Sequence, residues 1–318
     1  LSDHSKLRDL LFPVALVFGV VIAVLVFPPL GALLGIVAPA PLLFIYLQRG
    51  QVVGLILMGL VFAALFVLMS PGQALLFVAE YVVMATIMAE TIKARLTMDK
   101  CIFLSALGSM TLATFLMFVL FADRETSLTD FFQAQIQEHF NQSLNALESM
   151  GEKQADLTAM KEFFEQSSRT FASAYPAFIM VGSLITAAVN FFLVRIVWIK
   201  LYGDTLFRRE KFSELILPDF LIWGLILSAG SLFLLGNPVG TVGMNLFAMV
   251  LLAYLFQGLA ILVHILESKK VPKFLWALVF FIIIIQPLLM GLVIGLGIFD
   301  IWVDFRKIKQ QPTGNIEQ

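Results

Sequence analysis

Charge is what this sequence has least of. Asp, Glu, Lys and Arg make up 14% of its 318 residues, against roughly 25% in a soluble protein. The net charge of −1 leaves no concentrated basic face for nucleic acid, which is excluded as a partner. The one cysteine, Cys101, has nothing in the chain to form a disulfide with. His4, His139 and His264 are too far apart for a local metal site, so no metal is expected. The phosphate loop G-x-x-x-x-G-K-[ST], the zinc helix H-E-x-x-H and the nucleophile turn G-x-S-x-G are all missing. No enzyme and no cofactor are therefore expected, and any ATP that powers this protein must be hydrolysed by another chain.

Hydrocarbon takes the place of charge. Hydrophobic residues make up 60% of the chain and the mean hydropathy is +0.94, which describes a protein solvated by lipid. Apolar runs fall near 10–27, 30–47, 51–69, 74–92, 101–122, 176–198, 218–235, 242–266 and 272–304, separated by turn-type or charged stretches. Most approach the ~20 residues that a hydrocarbon core of about 30 Å requires. The first run is read as a span, because it is longer than a signal h-region and no small-residue cleavage site follows Pro28 and Pro29. The last run would make roughly 50 Å of unbroken helix. Gln286 and Pro287 divide it, and a hairpin there gives ten spans; one strongly tilted helix, making nine, or a shallow re-entrant hairpin are the alternatives.

The expected fold is thus all-α, a polytopic transmembrane helical bundle. Spans one to five occupy 1–122, an external insert 123–175, spans six to ten 176–304, and a cytoplasmic tail 305–318. Of the 21 Lys and Arg residues, only Arg124, Lys153, Lys161 and Arg169 fall on one side, all in the long insert; the rest fall on the other. Stretch 195–211, with Arg195, Lys200, Arg208, Arg209 and Lys211, is the longest basic interruption. The positive-inside rule then puts both termini in the cytoplasm of a bacterial inner membrane.

Insert 123–175 has nine acids against four bases. Phe131, Phe132, Ile136, Phe140, Leu144 and Leu147, followed by Leu157, Met160, Phe163, Phe164 and Phe171, recur at intervals of three and four, which predicts two amphipathic helices turning at Gly151. Such a hairpin can cap the outer mouth of the bundle, lie on the bilayer, or dock on a partner.

Polar side chains inside spans are costly and face the bundle interior. Glu80, about 10 Å into its span by helix rise, reads either as a ligand, cation or proton site or as a neutral carboxyl bonded to a neighbouring helix. Glu90, three residues before Lys93, reads as a local ion pair or a snorkelling acid. Asn190, Asn245 and Gln257 are candidate ligand contacts, although interhelical bonding accounts for each as well, as it does for Gln286. Gln257 and His264 share a helix face, and His264 lies near a basic end. Asp300 and Asp304 beside Arg306 and Lys307 read as a salt-bridge cluster. Ala15, Gly19 and Ala23, spaced by four, form a small-residue ridge that either packs internally or receives a partner subunit; Gly291, Gly295 and Gly297 form a similar one.

Two stretches, FSELILPDFLIWGLILSAG at 212–230 and GLGIFDIWVDFRK at 295–307, resemble the YybS-like family of predicted bacterial membrane proteins, as does the layout of paired early spans, an insert after the fifth and a span opening on Leu-Pro. That family is in turn distantly similar to the substrate-binding S components of energy-coupling-factor vitamin transporters. The resemblance implies an S-component-like bundle in the leading spans. In S components an alanine-x-x-x-alanine ridge on the first helix meets the coupling subunit. Ala15, Gly19 and Ala23 hold the matching positions, with a glycine in place of an alanine. The expected function is small-molecule binding or uptake, alone or with other membrane subunits and an ATPase in trans. The alternative is a structural or assembly subunit of a membrane complex.

Overall fold

The structure is a computed structural model that describes residues 19, 35–68, 70–122, 127–149, 154–203, 206–208 and 210–307. Among the described residues every regular element is helical. Contacts divide the chain into two compact units, 1–209 and 210–318.

In the first unit α1 (Pro39–Arg49) ends at Gly50, whose φ of 88° needs a glycine, and α2 (Gln51–Leu68) follows. Ser70 opens the next helix with a reciprocal capping box. Its hydroxyl accepts from the Gln73 amide, and the Gln73 side chain accepts from the Ser70 amide, with Pro71 just inside the helix. The helix runs as α3 (Pro71–Phe77), one π turn (Val78–Val82) and α4 (Val83–Lys93). Three more follow: α5 (Met98–Phe121), the α6–α7 pair (Leu128–Ser149 and Gln154–Ser173) and α8 (Tyr175–Tyr202).

Helices α4, α5 and α8 meet through small residues. Ala85 and Ala89 on α4, Ser105, Ala106 and Ser109 on α5, and Ser183 and Ala187 on α8 are buried, whereas Phe103, Phe115 and Phe118 on α5 are exposed. This distribution suits lipid as the solvent. Hydrocarbon gives no hydrophobic drive between helices, so close backbone approach does the packing while large side chains face outward.

The second unit contains a short 3₁₀ turn (Phe212–Glu214), α9 (Leu221–Leu234), α10 (Val239–Ser268), α11 (Lys273–Ile285) and α12 (Pro287–Val303). Helix α10 packs on α9 and α12. A Cβ at Gly258 would collide with the Val293 carbonyl, and one at Gly297 with the Tyr254 carbonyl, so these glycines allow α10 and α12 to touch backbone to backbone. Of the C-terminal small-residue ridge, Gly297 makes this contact; Gly291 and Gly295 have open space where a side chain would go.

Ten spans are not supported. Among the described residues five helices are long and apolar enough to cross a membrane: Gln51–Leu68, Pro71–Lys93, Met98–Phe121, Tyr175–Tyr202 and Val239–Ser268. A sixth is added if α11 and α12, bent by 104° at the Gln286–Pro287 break, make one broken span. The run expected at 30–47 is the shorter helix Gly35–Arg49. The one expected at 218–235 forms only the 14-residue α9, roughly 21 Å by helix rise. The run at 10–27, and Ala15 and Ala23 of its ridge, lie outside the described residues, as do the turn at Gly151 and the tail from 308.

Candidate functional site

The π turn is the local irregularity that sets up the site. The Val83 amide donates to the Val78 carbonyl, five residues back rather than four. One extra residue therefore sits in that turn and shifts the faces of α3 and α4 relative to each other, an arrangement often found at functional sites. Ala79 and Val82 of the turn are buried, and Glu80 between them is half-buried. The Glu80 carboxylate makes no hydrogen bond or ion pair with any described residue.

Glu80 lines a cavity of about 450 Å³. It shares one wall with Leu76, and Ala113 and Met117 of α5 form the next. The α6–α7 pair brings Phe132, Ile136 and Phe171, and the first turns of α8 bring Tyr175, Phe178, Ile179 and Gly182. The cavity thus lies where the hairpin roots on the bundle. Among the described lining residues, Glu80 and Tyr175 are the two with polar side-chain groups.

Aromatic contacts hold the hairpin there. Phe132 stacks on Tyr175 with ring centroids 4.8 Å apart and planes 12° apart, and Phe131 packs on Phe121 at 4.8 Å. Within the hairpin Phe140 stacks on Phe164 at 3.8 Å, and the Gln133 amide donates to the Ser168 hydroxyl at 3.5 Å. Ser127 caps the first helix by accepting from the Asp130 amide at 3.1 Å. Phe132, Ile136 and Phe171 of the apolar stripe line the cavity, and Phe171, like Met160 and Phe163, is exposed.

Glu90 shows how this chain satisfies an acid it does not leave open. It accepts from the Tyr46 hydroxyl at 2.7 Å and from Lys93 at 3.1 Å, and the Lys93 ammonium sits 4.3 Å from the centre of the Tyr46 ring.

None of the other candidate residues is among the described residues that line the Glu80 cavity. Asn190 is fully buried, and its amide donates to the Ile36 and Thr186 carbonyls, each at 2.6 Å, joining α8 to the segment before α1. Asn245 donates to the Thr241 carbonyl one turn back on its own helix. Gln257 accepts from the Leu217 amide at 3.1 Å and donates to Asp300 at 3.0 Å. Asp300 is buried and accepts from Arg306 at 2.7 Å, while Arg306 also donates to the Ser213 and Leu215 carbonyls at 2.9 and 2.8 Å. Of the expected salt-bridge cluster at 300–307, the Asp300–Arg306 pair forms, and it is buried and clamps residues 213–217. Cys101 is buried and bonds the Leu96 carbonyl at a helix start.

Sequence reasoning singled out Glu80 but not the residues around it. The helical period put Phe132, Ile136 and Phe171 on an apolar stripe without naming what they cover. Tyr175 and Gly182 carried no signal beyond an aromatic and a glycine near a helix start.

Several long apolar helices, small residues buried between them and large apolar side chains outside define an all-helical, multi-pass integral membrane protein. The chain belongs to the family described as Predicted membrane protein (DUF2232), whose model matches residues 14–301. Comparison with the curated proteins and with the solved structures gave no match. Groups of three or more His, Cys, Asp or Glu able to hold a metal are absent among the described residues.

Proposed function

We propose that this chain is a small-molecule-binding subunit of the bacterial cytoplasmic membrane, similar to transporter S components, whose first unit takes its ligand into the cavity beneath the hairpin. The observation that carries this reading is the Glu80 cavity. Its volume of about 450 Å³ lies within the roughly 300–1,000 Å³ of small-molecule sites, and an apolar wall with few polar groups is the usual composition of such sites. The hairpin contributes Phe132, Ile136 and Phe171 to a cavity that remains open on one side, and the π turn presents the acid. Energy for uptake comes from an ATPase in trans, since this sequence has no nucleotide motif.

The test uses Gly182, where an added Cβ meets nothing within 4 Å. Gly182→Leu adds a side chain at the cavity lining whose Cβ meets no neighbour. Purified full-length parent and Gly182→Leu, screened against a small-molecule library by thermal shift in detergent, should differ. Ligands that stabilise the parent should fail with the variant, and equal responses from the two would reject the cavity as the binding site.

One observation favours the second reading, an assembly subunit of a membrane complex. Met160 and Phe163 on the hairpin are exposed and offer an apolar contact for another protein. Mild-detergent purification separates the two readings. An ATPase and a second membrane subunit in the eluate support uptake, whereas a large complex without a nucleotide-binding chain supports assembly.

A further inference from the structure

We infer that the cavity takes a small organic cation, an amine or quaternary ammonium on an apolar body, with its charge held by Glu80 among aromatic rings. This rests on the reading of the cavity as a binding site and adds the charge and chemical class of the ligand.

Charge is the first argument. Among the described residues of the lining Glu80 is the one carboxylic acid, and none is Lys, Arg or His. The same continuous stretch of helix carries Glu90, which is matched by both a phenol and an ammonium. Glu80 has neither, so its lone pairs face the cavity without a partner from the described residues. A carboxylate in that position repels an anion and attracts a cation, and the low polarity around it strengthens the attraction.

The rest of the wall selects which cation. Phe132, Phe171, Tyr175 and Phe178 supply aromatic rings, whose negative faces attract an ammonium and whose area covers an apolar body. A hard inorganic ion needs about six oxygens, and this lining has the two of Glu80 and the phenol of Tyr175. A sugar or other polyol would leave most of its hydroxyls unpaired against Leu76, Met117, Ile136 and Ile179, a desolvation cost with nothing to offset it.

The test measures binding of a graded series of ammonium ions, from tetramethylammonium to benzyltriethylammonium, to purified full-length protein in detergent. Each is paired with its neutral carbon isostere, with benzoate and sodium chloride as further arms, and parent, Glu80→Gln and Gly182→Leu are compared. Glu80 makes no hydrogen bond or ion pair with a described residue, so among these the Gln variant breaks none. At least one ammonium should bind the parent, its isostere should not, and Glu80→Gln should weaken it about tenfold or more, the loss expected when a carboxylate that attracts the cation through a low-polarity lining is made neutral. Gly182→Leu should abolish it.

If isosteres bind as well as the cations and Glu80→Gln changes nothing, the cavity is a site but the cation assignment is wrong. Saturation by sodium alone, dependent on Glu80, would replace the organic ion with an inorganic one and overturn the assignment. Absence of binding across the whole series also overturns it. Binding that Gly182→Leu leaves intact would instead reject the cavity itself.

Discussion

Arg306 donates through Nη2 to Asp300 Oδ2 at 2.7 Å, with the two side chains only 1% and 3% exposed. The pair closes a network in which Arg306 also holds the Ser213 and Leu215 carbonyls, Gln257 holds Asp300 and the Leu217 amide, and Asp300 accepts from the Phe305 amide at 3.0 Å. The stretches 212–217 and 300–306, distant in sequence, are thereby fastened to α10.

Removing one partner of such a pair leaves the other buried and uncompensated. Asp300→Asn and Arg306→Met should each destabilise the second unit by about 3–5 kcal/mol, and the double variant should recover part of that loss. Arg306→Lys should be nearly as damaging as Arg306→Met, because a single ammonium does not reproduce a fork that reaches three acceptors. Chemical denaturation in detergent measures all four, and an unchanged midpoint for the single variants would contradict the clamp.

The helix crossing of the second unit depends on absent side chains. Gly258→Ala and Gly297→Ala should cost about 1–3 kcal/mol or more, as overpacking does, because the obstructing atoms are opposing backbone that cannot rotate away. Gly291→Ala and Gly295→Ala meet open space and should be neutral or slightly stabilising, since alanine is the better helix former. Thermal stability of the four variants checks the contrast.

Hydrogen exchange tests the hairpin. Amides of 128–149 and 154–173 should be protected in the intact protein, most strongly near Phe132, Phe140 and Phe164, where rings pack on neighbours. Fast exchange throughout both helices would remove the cover from the cavity and the proposal with it.

Orientation is tested by thiol labelling after Cys101 is replaced. Cysteines at Gly72 and Gly151 should react with an impermeant reagent from outside, and one at Gly203 should not. In the first unit Gly72 lies beside Leu120 at the hairpin end of α5, and Gly203 follows the far end of α8. The two labels therefore read opposite faces, and reaction at Gly203 in intact cells would invert the assignment.

Lipid solvation, helicity and the hairpin's amphipathic stripe follow from the sequence by itself, because hydropathy adds along the chain and helical periodicity is local. Glu80 stood out for the same reason: an acid in an apolar run is conspicuous whatever surrounds it. Tertiary structure decided the rest. Gln286 and Pro287 marked the break in the last run, where the two helices bend by 104°, but a hydropathy run does not reveal where a helix starts, so the expected span from 218 begins only at Leu221, after residues 213–217 have been captured by Arg306 and Gln257. Nor does spacing show that Phe132, Phe171 and Tyr175 line one cavity with Glu80. That lining joins segments 50 to 95 residues apart, and the π turn that carries Glu80 adds a residue that leaves no mark in an apolar pattern. Asp300 and Arg306 read as members of a salt-bridge cluster from local spacing, and they do pair; that the pair is buried and grips 213–217, a stretch some 90 residues earlier, was decided by the tertiary structure.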